Sequence, residues 1–151
     1  VDQILILDFG GQTCQLIGRR LREGGVYSEI ASHDVALTPE RLKNVKGIIL
    51  SGSPYSVYED GAPSVDPRLF DLGLPVLGIC YGFQLITHLG GGKVESLAVK
   101  EYGRVPLTLN SGNPLFEGIP SGFHSWMSHG DSIATLAPGF EITASSDNHP
   151  A

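Results

Sequence analysis

Three short aliphatic runs, each ending at a turn or a small residue, constrain this chain more than any other feature. Ile4-Leu5-Ile6-Leu7 leads into Asp8-Phe9-Gly10-Gly11, Gly47-Ile48-Ile49-Leu50 into Ser51-Gly52-Ser53-Pro54, and Pro75-Val76-Leu77-Gly78-Ile79 into Cys80. A run of apolar residues with no polar alternate has no face to give to water, so each predicts a strand covered on both sides. Helical patterns lie between them. From Thr13 the apolar residues Cys14, Ile17 and Leu21 recur at helical spacing, Arg19, Arg20 and Arg22 face outward, and Gly24-Gly25 stops the element. Residues 26–30 predict another strand, and Thr38-Pro39-Glu40 offers an N-cap, a first-turn proline and an acidic first turn. Strands alternating with helices predict an α/β fold: an open, mostly parallel sheet flanked by helices. After Gly90-Gly91-Gly92 the pattern changes, and residues 105–109, 132–136 and 140–144 predict strands in a strand-rich C-terminal part. No repeat or linker divides the chain, so residues 1–151 are expected to form one domain.

Charge and composition narrow the function. With 10 basic against 16 acidic residues the net charge is −6, which does not favour nucleic acid or an anionic membrane surface. A small uncharged or zwitterionic substrate fits better. No stretch is apolar for long enough to span a bilayer and the first residues lack a basic leader, so a cytoplasmic protein is expected. The five histidines, His33, His88, His124, His129 and His149, are scattered without an i, i+4 pair or companion carboxylates at ligand spacing, and no metal site is expected. No glycine-rich phosphate loop is present either, so nucleotide chemistry is not expected in this chain.

The chemistry concentrates at Gly78-Ile79-Cys80-Tyr81-Gly82, a cysteine form of the Gly-x-Ser-x-Gly elbow between a buried strand and the helical pattern of residues 83–89. A nucleophile on a sharp strand-to-helix turn projects from the sheet, and glycines two residues to either side permit the close backbone approach that the turn needs. The positive end of the following helix is expected to lower the thiol pKa. The N–H of Tyr81, with that of Gly52 after the neighbouring strand, would donate to the oxyanion formed when sulfur adds to a carbonyl. Cys14, on the apolar stripe of the first helix, reads as a packing residue.

These residues carry a resemblance. Gly78-Ile79-Cys80-Tyr81-Gly82-Phe83-Gln84 resembles the nucleophile motif of the class I glutamine amidotransferases, in which a cysteine takes the side-chain amide of glutamine through a thioester and releases ammonia. Residues 7–12 (Leu-Asp-Phe-Gly-Gly-Gln), Ser51-Gly52-Ser53-Pro54 and Trp126-Met127-Ser128-His129-Gly130-Asp131 resemble the first strand and loop, the oxyanion loop and the glutamine-pocket segment of the family's GMP-synthesising branch. The resemblance implies a flavodoxin-like fold, with Cys80 as nucleophile, Gly52 and Tyr81 as the oxyanion hole, and Gln84, Ser128, His129, Gly130 and Asp131 around glutamine. It further implies that the ammonia aminates XMP to GMP in purine biosynthesis. The partner would be an ATP pyrophosphatase domain or subunit that uses ATP and Mg; no cofactor is implied here.

Two departures stand out. The family usually has a second glycine where this chain has Ser53. Its triad histidine and glutamate lie in a Gly-x-Gln-Phe-His-Pro-Glu segment that has no counterpart in these 151 residues; His149-Pro150-Ala151 reads as a loop. A domain incomplete at its C-terminus, with little glutaminase activity by itself, is therefore expected. The alternatives are a non-catalytic glutamine-binding or regulatory module and the amidotransferase part of a carbamoyl-phosphate or anthranilate synthase. A third is another cysteine hydrolase of the same architecture, against which the Trp126–Asp131 segment argues.

Overall fold

A computed structural model describes residues 1–110 and 112–147, the side chains of 98–101 excepted. The chain forms two compact units, Val1–Leu89 and Gly90–Ala151.

The first unit is the alternating α/β body. Its elements are β1 (Gln3–Asp8), α1 (Cys14–Glu23), β2 (Tyr27–Ser32), α2 (Pro39–Leu42), β3 (Val45–Leu50), β4 (Val76–Gly78) and α3 (Tyr81–Leu89). All four strands are parallel, in the order β2-β1-β3-β4. Ile6 pairs with Ile30 on one side and Ile49 on the other, and Ile49 pairs in turn with Leu77. The aliphatic runs are buried as their composition demands: Leu5, Ile6, Leu7, Ile48 and Leu50 are at most 1% exposed. Each such side chain contributes about 1.5–3 kcal/mol relative to exposure. Under the sheet, Ile6, Cys14 and Ile49 form a cluster with Ile4, Ile17, Leu21, Ile30 and Ile79, which places Cys14 in the packing role its position predicts.

The helix ends follow local chemistry. Thr38 Oγ1 accepts from the Arg41 N–H at 3.3 Å, capping α2 just before Pro39. Gly24 N–H closes α1 on Arg20 O, and Gly25 takes φ 78° as the chain turns back to β2.

In the second unit β5 (Lys93–Pro106) pairs antiparallel with β7 (His124–Thr135), and β6 (Thr108–Leu109) with β8 (Ala144–Ser145). Strand-rich was the right expectation, but the boundaries differ. The long ribbon of β5 and β7 carries polar residues on its exposed face, including Arg104 and Ser128, and its pairing is set by the partner strand rather than by an aliphatic run. Residues 140–143 are not strand, leaving β8 with two residues. His149-Pro150-Ala151 lies outside the described residues. No helix among the described residues is long and apolar enough to cross a membrane.

Candidate active site

Parallel strands all end at the same edge, and the order β2-β1-β3-β4 reverses between β1 and β3, so the loops after those two strands splay apart at the sheet's switch point. The loop after β1 carries Phe9, Gly10 and Gly11; the loop after β3 carries Ser51, Gly52 and Ser53; Cys80 follows β4.

Cys80 has φ 54°, and among the described residues it is the one non-glycine with positive φ. For an L-residue that conformation costs about 1–2 kcal/mol, and it persists because the surrounding backbone leaves no alternative. A methyl at Gly78 would lie 2.5 Å from the Phe83 nitrogen, and one at Gly82 would lie 2.6 Å from the Leu50 carbonyl carbon. Both glycines are therefore required by close approach, as the elbow motif predicts. Gly82 N–H donates to Ser51 O at 3.1 Å and Ile79 N–H to Leu50 O at 3.0 Å, which fastens the elbow to the end of β3.

The same contacts position Gly52. A methyl there would sit 3.8 Å from Cys80 Cβ, so the two residues are neighbours across the β3–β4 edge. Ser51 O is taken by Gly82, and Gly52 O accepts from the Gly11 N–H at 3.1 Å. The N–H groups of Gly52 and Tyr81 donate to no acceptor among the described residues. Ser51 is fully buried, its hydroxyl accepting from the Phe9 N–H at 3.2 Å, which locks the β1 loop to the β3 loop. Ser53, where the family usually has glycine, is accommodated without strain: its φ is not positive and its hydroxyl accepts from the Tyr55 N–H at 3.2 Å.

Cys80 keeps contact with solvent, yet desolvation pushes its thiol above the ordinary value. The two facts concern different things: exposure governs whether a substrate can reach the residue, whereas the crowding backbone governs its proton. Against the lowering expected from the N-terminus of α3, the direction is upward, and desolvation by burial is its cause. A thiol held up in this way needs a base to become a nucleophile near neutral pH. Cys14 is also raised, by burial and the nearby Asp8 carboxylate, with a Ser51 hydrogen bond opposing.

Of the residues singled out from the sequence, Cys80, Tyr81, Gly52 and Gln84 come together in the first unit. Gln84 is 8% exposed on α3, with its N–H on Cys80 O at 3.1 Å. Ser128, His129, Gly130 and Asp131 follow one another along β7 in the second unit. Ser128 is exposed, the other three are half-buried, and His129 Nδ1 lies 2.8 Å from Asp131 O. Sequence reasoning missed Gly11. Its added methyl would fall 2.5 Å from Gly52 O, so it is the residue against which the β3 loop rests. The signal was present in the Gly10-Gly11 pair but read only as a turn. No group of three or more metal-ligating side chains occurs among the described residues.

A family model described as glutamine amidotransferase class-I matches residues 5–151. Over 151 residues the chain is 54% identical to a GMP synthase (glutamine-hydrolyzing) of Ligilactobacillus salivarius, covering 99% of this chain and 29% of that protein. It is 52% identical to the protein of the same name in Caldanaerobacter subterraneus, with the same two coverages. The chain thus spans about three tenths of the length of these curated relatives. Among solved structures, a putative GMP synthase subunit of Thermoplasma acidophilum superimposes with a TM-score of 0.78 at 31% identity, covering 98% of this chain and 74% of that one. A glutamine amidotransferase of Thermotoga maritima matches in fold, with a TM-score of 0.75 at 20% identity over 98% of this chain and 68% of that one.

Proposed function

The chain belongs to the class I glutamine amidotransferase family, and from that premise we propose that it hydrolyses glutamine to glutamate and ammonia through a thioester on Cys80, the ammonia going to the amination of XMP to GMP. The observation that carries this reading is the strained elbow: Cys80 at φ 54° beside Gly52, with the unused N–H groups of Gly52 and Tyr81 flanking the turn. Residues 1–151, both units together, form one amidotransferase domain in this reading.

The Cys80 thiolate adds to the amide carbon of glutamine, and the carbonyl oxygen becomes an oxyanion held by the Gly52 and Tyr81 N–H groups. Collapse breaks the C–N bond and expels ammonia once the nitrogen has gained a proton, leaving a thioester. Water then adds to the thioester carbon, glutamate departs and the thiol is restored. Gln84 together with Ser128, His129, Gly130 and Asp131 would hold the substrate. In this reading the ammonia passes to an ATP-using synthetase domain or subunit; the curated relatives are named GMP synthase (glutamine-hydrolyzing).

The proton carrier is the part these residues do not supply. No histidine–glutamate pair in the family's pattern occurs among the 151 residues, and without general acid–base help turnover is expected to be slower by about 10²- to 10⁴-fold. A second reading, a module that captures glutamine without turning it over, shares the same elbow and differs in ammonia release.

A glutamine-derived chloromethyl ketone separates the readings from an unrelated role. The proposal expects alkylation at Cys80 rather than Cys14, protection by glutamine, and no labelling of Cys80→Ala, read by intact mass and peptide mapping. Labelling that glutamine does not slow would overturn both readings. Ammonia release then divides them, because a capture module binds glutamine without releasing ammonia.

A further inference from the structure

Three aromatic rings pack together beside the elbow, Phe9 stacked on His33 and tilted against Tyr81. Phe9, 2% exposed at the end of β1, has its ring 5.5 Å from His33 at an interplanar angle of 25° and 5.6 Å from Tyr81 at 46°. Both outer rings reach past Phe9 to the same stretch of chain. The Tyr81 hydroxyl donates to the carbonyl oxygen of Pro63, and His33 Nδ1 lies 2.7 Å from the carbonyl oxygen of Ser64. A backbone carbonyl only accepts, so the His33 tautomer carries its proton on Nδ1. The His33 N–H also donates to Asp8 O at 3.1 Å, which ties the ring's own backbone to the end of β1.

Pro63 and Ser64 lie midway along the connection between β3 and β4, residues 51–75. The connection is fixed at its start by Gly11 N–H on Gly52 O, and along its length by the turn at Ser56–Glu59 and the buried Val57 and Val65. At Pro63 it is fixed to the nucleophile's own helix by the Tyr81 hydroxyl.

We propose that Tyr81 and His33 form a two-point latch on Pro63 and Ser64 that holds the Gly52 loop in register with Cys80, making their side chains positioning residues for the oxyanion hole. This rests on the glutaminase reading above. Tyr81 then serves twice, its backbone N–H facing the reacting carbonyl and its hydroxyl holding the loop that brings the second donor. A tyrosine directly after the nucleophile is required by that arrangement; phenylalanine would keep the stack and lose the tether.

The latch has a readout independent of catalysis. Hydrogen–deuterium exchange of peptides covering residues 53–66 is expected to rise about fivefold in Tyr81→Phe, the factor that one ordinary hydrogen bond carries. His33→Ala should behave similarly. His33→Asn, whose amide nitrogen occupies the Nδ1 position, should stay close to the unsubstituted protein. With the glutamine-derived chloromethyl ketone, Tyr81→Phe and His33→Ala should lower the maximal rate of Cys80 alkylation more than the affinity for the reagent. The double variant should lose less than the product of the two, because both tethers hold one loop. Unchanged exchange in both folded variants would overturn the latch, and raised exchange with unchanged maximal alkylation would overturn its positioning role. If the unsubstituted protein shows no glutamine-protected alkylation, the glutaminase reading fails while exchange still reports on the tether.

Discussion

Gly11→Ala isolates the contact that holds the proposed oxyanion loop. Gly11 does not have positive φ, so alanine's own backbone preference is satisfied there, and the consequence is purely steric. The added methyl would lie 2.5 Å from Gly52 O and 2.7 Å from Gly52 C, backbone atoms that cannot rotate aside; ordinary contact begins near 3.4 Å, so Gly52 must recede by roughly 0.9 Å. Overpacking of this kind costs about 1–3 kcal/mol of stability. The larger effect is on rate. A displacement of that order moves the proposed transition-state donor out of line, and a misplacement near 1 Å costs about 10²-fold. Gly10→Ala is the control, because Gly10 has φ 89° and open space around its α-carbon. There the cost is conformational, about 1–2 kcal/mol, with no reach toward Gly52. Urea unfolding should therefore show both variants weakened. Alkylation of Cys80 by the chloromethyl ketone should slow about 10²-fold in Gly11→Ala alone. A folded Gly11→Ala that reacts at the original rate, or a Gly10→Ala that slows as much, would refute the reasoning.

Other consequences follow from the elbow and the two thiols. Cys80→Gly should unfold at higher urea than Cys80→Ala by about 1 kcal/mol, because only glycine adopts φ 54° without strain; equal midpoints would mean the elbow is not strained. Desolvation raises the Cys80 thiol, so its reaction with iodoacetamide should keep climbing as pH passes the ordinary thiol value of 9.0; a plateau below it would contradict the crowding described. Cys14 is raised as well, so the unfolded chain loses that proton first. The stability contribution is whole below the ordinary value of 9.0 and falls as pH rises from there through the folded value. Urea titrations in mildly alkaline buffers should show the decline, and Cys14→Ala should flatten part of it.

The parallel sheet was legible because its signal is composition. A strand buried on both faces must be apolar at every position, and Leu5, Ile6, Leu7, Ile48, Ile49 and Leu50 bear that out. The elbow was legible because its geometry admits few residues: no side chain fits at Gly78 or Gly82. The β5–β7 ribbon was less so. Its exposed face carries Tyr102, Arg104, Trp126 and Ser128, and nothing in those residue types fixes where a strand begins or which partner it meets.

By itself the sequence determined the fold class, the cysteine elbow and the family resemblance, since each rests on residue types held at fixed spacing along one stretch of chain. Only the tertiary structure decided that Gly11 abuts Gly52, that Ser51 ties two loops together, that the Cys80 thiol is raised rather than lowered, and that Tyr81 and His33 converge on Pro63 and Ser64. Those are relations between segments tens of residues apart. Contacts of that range depend on strand order and on the desolvation that packing imposes, and neither quantity is a property of any local run of residues.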